Sequence, residues 1–164
     1  MARPRRGDPP APDPLYLDLR ARVLGSSAAS LGVEVAPSES LWGAVLELGA
    51  SQGVASLVAL ADGTTSLYAS HGSVVAGTAG RGLVSAAGPF LDAVRAVVPR
   101  LAPDSEPVGA LPLAGEVVLY ALTPSGRLVG AATEADASRD GHTLATVLEL
   151  GHGVVAELQR LDGA

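Results

Sequence analysis

The chain has 164 residues, 48% of them apolar, and a formal net charge of −6, enough for one domain with its own core. Eleven basic residues, all arginine, face seventeen acids, and no basic stripe exists beyond Arg3, Arg5 and Arg6, which excludes a nucleic-acid backbone binder. The absence of cysteine excludes a disulfide framework, a thiol nucleophile and a thiolate metal site, and no apolar run reaches about 18 residues, so no membrane span is expected.

Residues 1–14 form a Pro/Arg/Asp tail, predicted to be disordered because it cannot bury apolar area. Its arginines are followed by Pro9, Pro10, Pro12 and Pro14 rather than an apolar segment, so a signal peptide is not expected and the cytoplasm is predicted. A single α+β domain is expected over 15–164. It opens with a helix whose apolar face carries Leu15, Leu19, Val23 and Leu24. Trp42 to Leu48 reads as a strand with Trp42, Ala44, Leu46 and Leu48 on one face.

Val54–Ala61 and Thr64–Ser70 form a hairpin about Asp62-Gly63, a pair suited to a type I′ turn. That turn pairs Leu60 with Thr65, Val58 with Leu67 and Leu57 with Tyr68. Both faces of the hairpin are then partly apolar, as in a sheet covered on both sides or one with a face in a dimer. A glycine-rich connector follows, with Gly72, Gly77, Gly80 and Gly82. Helical spacing runs from Gly80 to Leu101, with a kink or break expected near Gly88 because Pro89 falls inside. After a proline-rich connector, Glu116–Leu122 and Arg127–Ala132 form a second hairpin about Thr123-Pro124-Ser125-Gly126. The last helix is expected from about His142 to Leu161, with Leu144, Val147, Leu148, Gly151, Val154, Leu158 and Leu161 on its apolar stripe.

Consecutive strands joined by tight turns give a mainly antiparallel, five-stranded sheet with helices packed on it. At the level of fold this resembles the profilin-like group, with its roadblock and longin domains, although roadblock domains place two strands before the middle helix and three after. The stretch from Trp42-Gly43 through Ala61-Asp62-Gly63-Thr64-Thr65-Ser66-Leu67-Tyr68 to the glycine run is similar to a family of small bacterial proteins without an assigned function. The likeness covers about a quarter of the chain and implies no functional residue. Lys, Ile and Asn are absent, which reads as a GC-rich, bacterial genome.

Candidate chemistry is sparse. Gly72, Gly77, Thr78, Gly80 and Arg81 are the candidate ligand-binding residues, since a glycine loop entering a helix offers free N–H groups to an anion or nucleotide. Thr78 stands where a phosphate loop needs lysine, and a mobile connector is the simpler reading. Asp136, Ser138 and Asp140 repeat the front half of a calcium loop, but Val147 occupies the position of its closing glutamate. Asp140 is then expected to cap the last helix. Glu149 and His152 share a helical face, as in half of a carboxylate metal site, without the second half. His71 and His142 are the residues a hydrolase would use, and no Gly-x-Ser-x-Gly elbow accompanies them. No cofactor and no metal is predicted.

The reading that follows is a non-catalytic, self-associating protein-interaction module. A homodimer is predicted, because small side chains leave little core area per residue and further burial in an oligomer helps. Trp42, Leu57 and Tyr68 are the candidate interface residues.

Overall fold

The computed structural model describes residues 9–36, 38–77, 81–106 and 108–163, and for 81–84 the backbone only. Helix α1 (Pro14–Gly25) starts inside the stretch expected to be tail: the Asp13 carboxylate accepts from the Leu15 N–H at 2.8 Å, and Pro14 takes the first helical position. Four strands follow, β1 (Gly43–Ala50), β2 (Gly53–Leu60), β3 (Thr65–Ala69) and β4 (Val74–Gly77), and then helix α2 (Arg81–Val97). The chain continues through β5 (Ala102–Pro103), β6 (Glu116–Thr123), β7 (Gly126–Thr133), the short helix α3 (Glu134–Ala137) and helix α4 (Ala145–Asp162).

The strands form one seven-stranded sheet in the order β4-β3-β2-β1-β6-β7-β5. Every pairing is antiparallel. The expected α+β class and antiparallel sheet are present, with seven strands rather than five. The additions are the two edges: β4 lies in the glycine run and β5 in the proline-rich connector. Four strands precede α2 and three follow it, a count that departs from roadblock domains. Among the described residues no helix is long and apolar enough to cross a membrane.

Both faces of the sheet are covered. On one, α2 and α4 bury Phe90, Leu91, Val94, Val147, Val154 and Leu158 against Ala44, Leu46, Leu57, Ala59 and Leu119. On the other, α1 and the segment after it bury Val23, Leu24 and Val33 against Trp42, Val45, Val58, Leu60 and Leu122. Trp42 therefore sits opposite to the face expected from alternation with Ala44 and Leu46, because it precedes the first strand residue. Gly43 makes room beside it: a Cβ there would stand 2.8 Å from Leu60 Cδ2 and 3.3 Å from Leu122 Cδ1. Leu15, expected on the inner face of α1, is exposed, and Tyr16 and Arg20 are buried instead.

The first hairpin is shifted by one residue from the expected register. Leu57 pairs with Leu67, Val58 with Ser66 and Ser56 with Tyr68. The loop has three residues, Ala61-Asp62-Gly63, closed by Gly63 N–H to Leu60 O at 3.0 Å and Leu60 N–H to Thr64 O at 2.9 Å, with Gly63 at φ +90°. This is a type I turn completed by a left-handed glycine, which the right-handed twist of the strands accommodates as well as a two-residue loop. The next hairpin repeats it: Gly72 N–H bonds to Ala69 O and Ala69 N–H to Ser73 O, both at 2.9 Å, with Gly72 at φ +98°.

Helix α2 continues through Pro89 as one helix, where a kink or a break near Gly88 was expected. Ala87 and Phe90, Leu91 and Val94 are buried on either side of the proline, so packing on the sheet outweighs the missing backbone bond. Helix α4 begins at Ala145, not His142, and Asp140 does not cap it. It crosses over several strands. Leu144 stands over Gly130 of β7, and Gly151 meets Leu46 of β1, where a Cβ would be 2.5 Å from Leu46 Cδ2. The helical rise covers about 10 Å between those two residues, the two spacings of about 4.8 Å from β7 to β1. Further along, α4 also contacts β3 and β4.

Candidate functional site

The sequence-predicted site residues do not converge. Gly72 is the left-handed residue of the second hairpin loop, and a Cβ there would lie 3.0 Å from an Asp13 carboxylate oxygen, an acidic neighbour that repels anions. Gly77 ends β4, paired with Thr65. Thr78, Gly80 and the Arg81 side chain lie outside the described residues. Asp136 pairs with Arg139 at 3.4 Å and Ser138 donates to Glu134 O at 2.7 Å inside and just after α3, so these two groups are turned to helix ends rather than to a common centre. Ser138 and Asp140 do share a surface hollow of about 340 Å³ with Glu149 and His152. Among the described residues no group of three His, Cys, Asp or Glu side chains could hold a metal. His142 accepts the Leu144 N–H at 3.1 Å, and His71 is exposed in a hairpin loop.

Of the interface candidates, Trp42 is 3% and Leu57 1% exposed, covered by this chain itself. The Trp42 indole N–H donates to Thr123 O at 3.2 Å. Neither can offer surface to a partner while the fold is intact. Tyr68 is half-buried beside Val74, one strand inside the sheet edge.

Two polar clusters that the sequence reading missed are structural. Beneath α1, Arg20 forks onto Glu47 of β1 through Nε to Oε1 at 2.6 Å and Nη2 to Oε2 at 3.0 Å, with side chains 3% and 0% exposed. Ser56 donates to Glu47 Oε1 at 3.1 Å, the Tyr16 hydroxyl lies 2.8 Å from Ser56 Oγ, and Arg20 Nη1 donates to Gly109 O at 2.9 Å. Burial, with Glu47's charge in support, pushes the Tyr16 phenol up despite the Ser56 hydrogen bond. Burial would pull Arg20 down, but the Glu47 hydrogen bond and charge hold it above its ordinary value. The signal for this pair is a lone charge in an apolar strand, since Glu47 needs a cation wherever the sheet is covered on both faces.

At the C-terminal end of α1, Arg127 donates to Leu24 O at 2.6 Å, to the Asp104 carboxylate at 2.8 Å and to Glu106 O at 2.5 Å. It stacks 5.7 Å from the Tyr120 ring centroid. A groove of about 540 Å³ runs beside it, walled by Ser26, Trp42, Asp104, Glu106 and Leu122. The strongest groups of that groove, the guanidinium and the indole N–H, are already bonded within the chain.

What remains open is backbone. Among the described residues β4 is the last strand on its side, and Val74-Val75-Ala76-Gly77 contain neither charge nor proline. Natural sheets usually blunt such an edge. The opposite edge is partly blunted: two-residue β5, whose Pro103 has no N–H to offer, covers Leu128 and Val129 of β7, and beyond it Leu101 and Leu144 pack over Gly130. Val74 on β4 is 42% exposed. A scan against protein-family models and searches of curated proteins and of solved structures find no match to this chain.

Proposed function

We propose that the protein is a non-catalytic interaction module that self-associates, working in the cytoplasm of a bacterium with a GC-rich genome. The observation that carries this reading is β4, an uncharged edge strand with no strand on its outer side among the described residues. A sheet edge of that kind recruits another strand, because its outward N–H and C=O groups gain partners and its apolar side chains leave water. The helices on both faces of an antiparallel sheet keep a distant kinship with roadblock and longin domains as part of the same proposal.

The test is light scattering coupled to size exclusion on the full chain, loaded from about 1 to 100 µM, the range in which a small interface associates. The expected result is a mass that rises from monomer to dimer over that range. A monomer at every concentration refutes self-association.

A further inference from the structure

We infer that the strand added to β4 is β4 of a second copy, in one register centred on Val75; the inference rests on the self-association just proposed. The hydrogen-bond phase of the sheet decides it. Ala69 N–H bonds to Ser73 O, and Leu67 faces Val75 two residues further along the same ladder. Bonded and non-bonded pairs alternate in antiparallel sheets. The Leu67–Val75 and Thr65–Gly77 pairs are therefore the bonded ones, and Val75 and Gly77 spend their backbone groups on β3. Val74 and Ala76, in the alternate pairs with Tyr68 and Ser66, direct theirs outward.

Two copies of one strand can pair antiparallel about a two-fold axis only if the axis is normal to the sheet. Residues directly opposite one another must then share a face, so their positions must have the same parity. Centring on Val75 meets this condition. Val75 faces the partner's Val75, and Val74 faces the partner's Ala76. Each outward N–H then meets an outward C=O, and all the free groups of the four-residue strand are used, in four hydrogen bonds across the interface.

A second copy is the occupant that suits the surface. The chain carries a net charge of −6, so like molecules repel, yet no charged residue lies within β4 to bring that repulsion into the contact. On the α1 side, exposed Val74 is flanked by half-buried Tyr68, which keeps that residue in the interface. On the other side, α4 packs beside the same edge. Four short residues and these flanks fall below the roughly 800 Å² per partner of a tight complex, so a micromolar dimer is the expected strength.

Two variants of the full chain test the register. Ala76→Pro removes an outward N–H that the fold's own ladder does not use, at an edge position where proline is tolerated. It should weaken the dimer about tenfold or more by losing two interchain bonds, with the monomer's circular dichroism and melting unchanged. Val75→Cys introduces the chain's sole thiol at the axis. Non-bonded cross-strand pairs bring Cα atoms to about 4.5 Å, inside the range a disulfide spans, so mild oxidation should give a covalent dimer, while Leu113→Cys, also exposed, should not. A wild-type dimer that Ala76→Pro leaves unchanged, or a Val75→Cys protein that cross-links no faster than Leu113→Cys, overturns the register and leaves self-association standing. A wild-type monomer together with no Val75→Cys cross-link overturns both.

Discussion

Replacing Arg20 by Met isolates what holds α1 on the sheet. The substitution keeps an apolar stem of similar length and removes both charge-assisted bonds to Glu47, together with the donor to Gly109 O. Glu47 is fully buried on a central strand and keeps one donor, the Ser56 hydroxyl. A carboxylate left in that position costs about 3–5 kcal/mol, a large part of the roughly 5–15 kcal/mol that holds a domain together. The double variant Arg20→Met/Glu47→Leu removes the orphaned charge as well. It should recover most of the loss, with about 1 kcal/mol remaining for the undonated Gly109 carbonyl. Urea unfolding followed by fluorescence of the single tryptophan, Trp42, which packs in the same layer, reads both values. A loss below about 1 kcal/mol in Arg20→Met, or a double variant less stable than the single, would refute the idea that the pair matters through the cost of an unmatched buried charge.

Stability should fall as the pH rises above about 10. The buried Tyr16 and half-buried Tyr120 phenols are pushed above the ordinary 10.0 by burial, so above that pH the unfolded chain releases protons that the folded chain retains. Their contribution is complete below the unfolded value and is lost as the pH climbs through the folded one. Tyr16→Phe should lower stability at pH 7 by about 1 kcal/mol, through the lost Ser56 bond, and flatten the alkaline fall; an unchanged slope in urea titrations from pH 7 to 11 contradicts this. Gly151→Val should cost about 1–3 kcal/mol by overpacking Leu46 and Phe90 at the crossing of α4 over β1, and an unaltered midpoint in thermal unfolding counts against the close approach described there.

Much of the architecture is legible locally. Pro124 and Gly126 announce the second hairpin, and β6 and β7 lie within a residue or so of their predicted bounds. The apolar stripe of α4 is read correctly except at Leu161, which is exposed near the end of the helix. The first hairpin shows where local reading fails. Asp62-Gly63 fits a two-residue loop, and only the structure recruits Ala61 into a three-residue one, which exchanges the faces of Leu67 and Tyr68. β4 hides among glycines because a four-residue edge strand needs little more than two valines. The inner face of α1 was misread because an arginine belongs there only when Glu47, far along the chain, awaits it. The candidate site shares this limit: an open edge is a property of strand order, which no short motif encodes.

The strand order also sets a timetable. β1 to β4 are joined by short loops and can zip as soon as they exist, in microseconds. The other neighbour of β1 is β6, whose Val117 must find Leu48 and whose Leu122 must find Gly43. On a ribosome adding about 5–20 residues per second, the segment between β4 and β6 takes several seconds to emerge. For that interval β1 is itself a bare edge, in the middle of what will be the sheet. Its central outward side chain on the α1 face is Glu47, with α1 and Arg20 already made. A charge on a temporary edge deters pairing with another nascent chain. The residue that costs desolvation in the finished molecule would thus place a charge beside the temporary edge of the unfinished one, whereas β4 carries none.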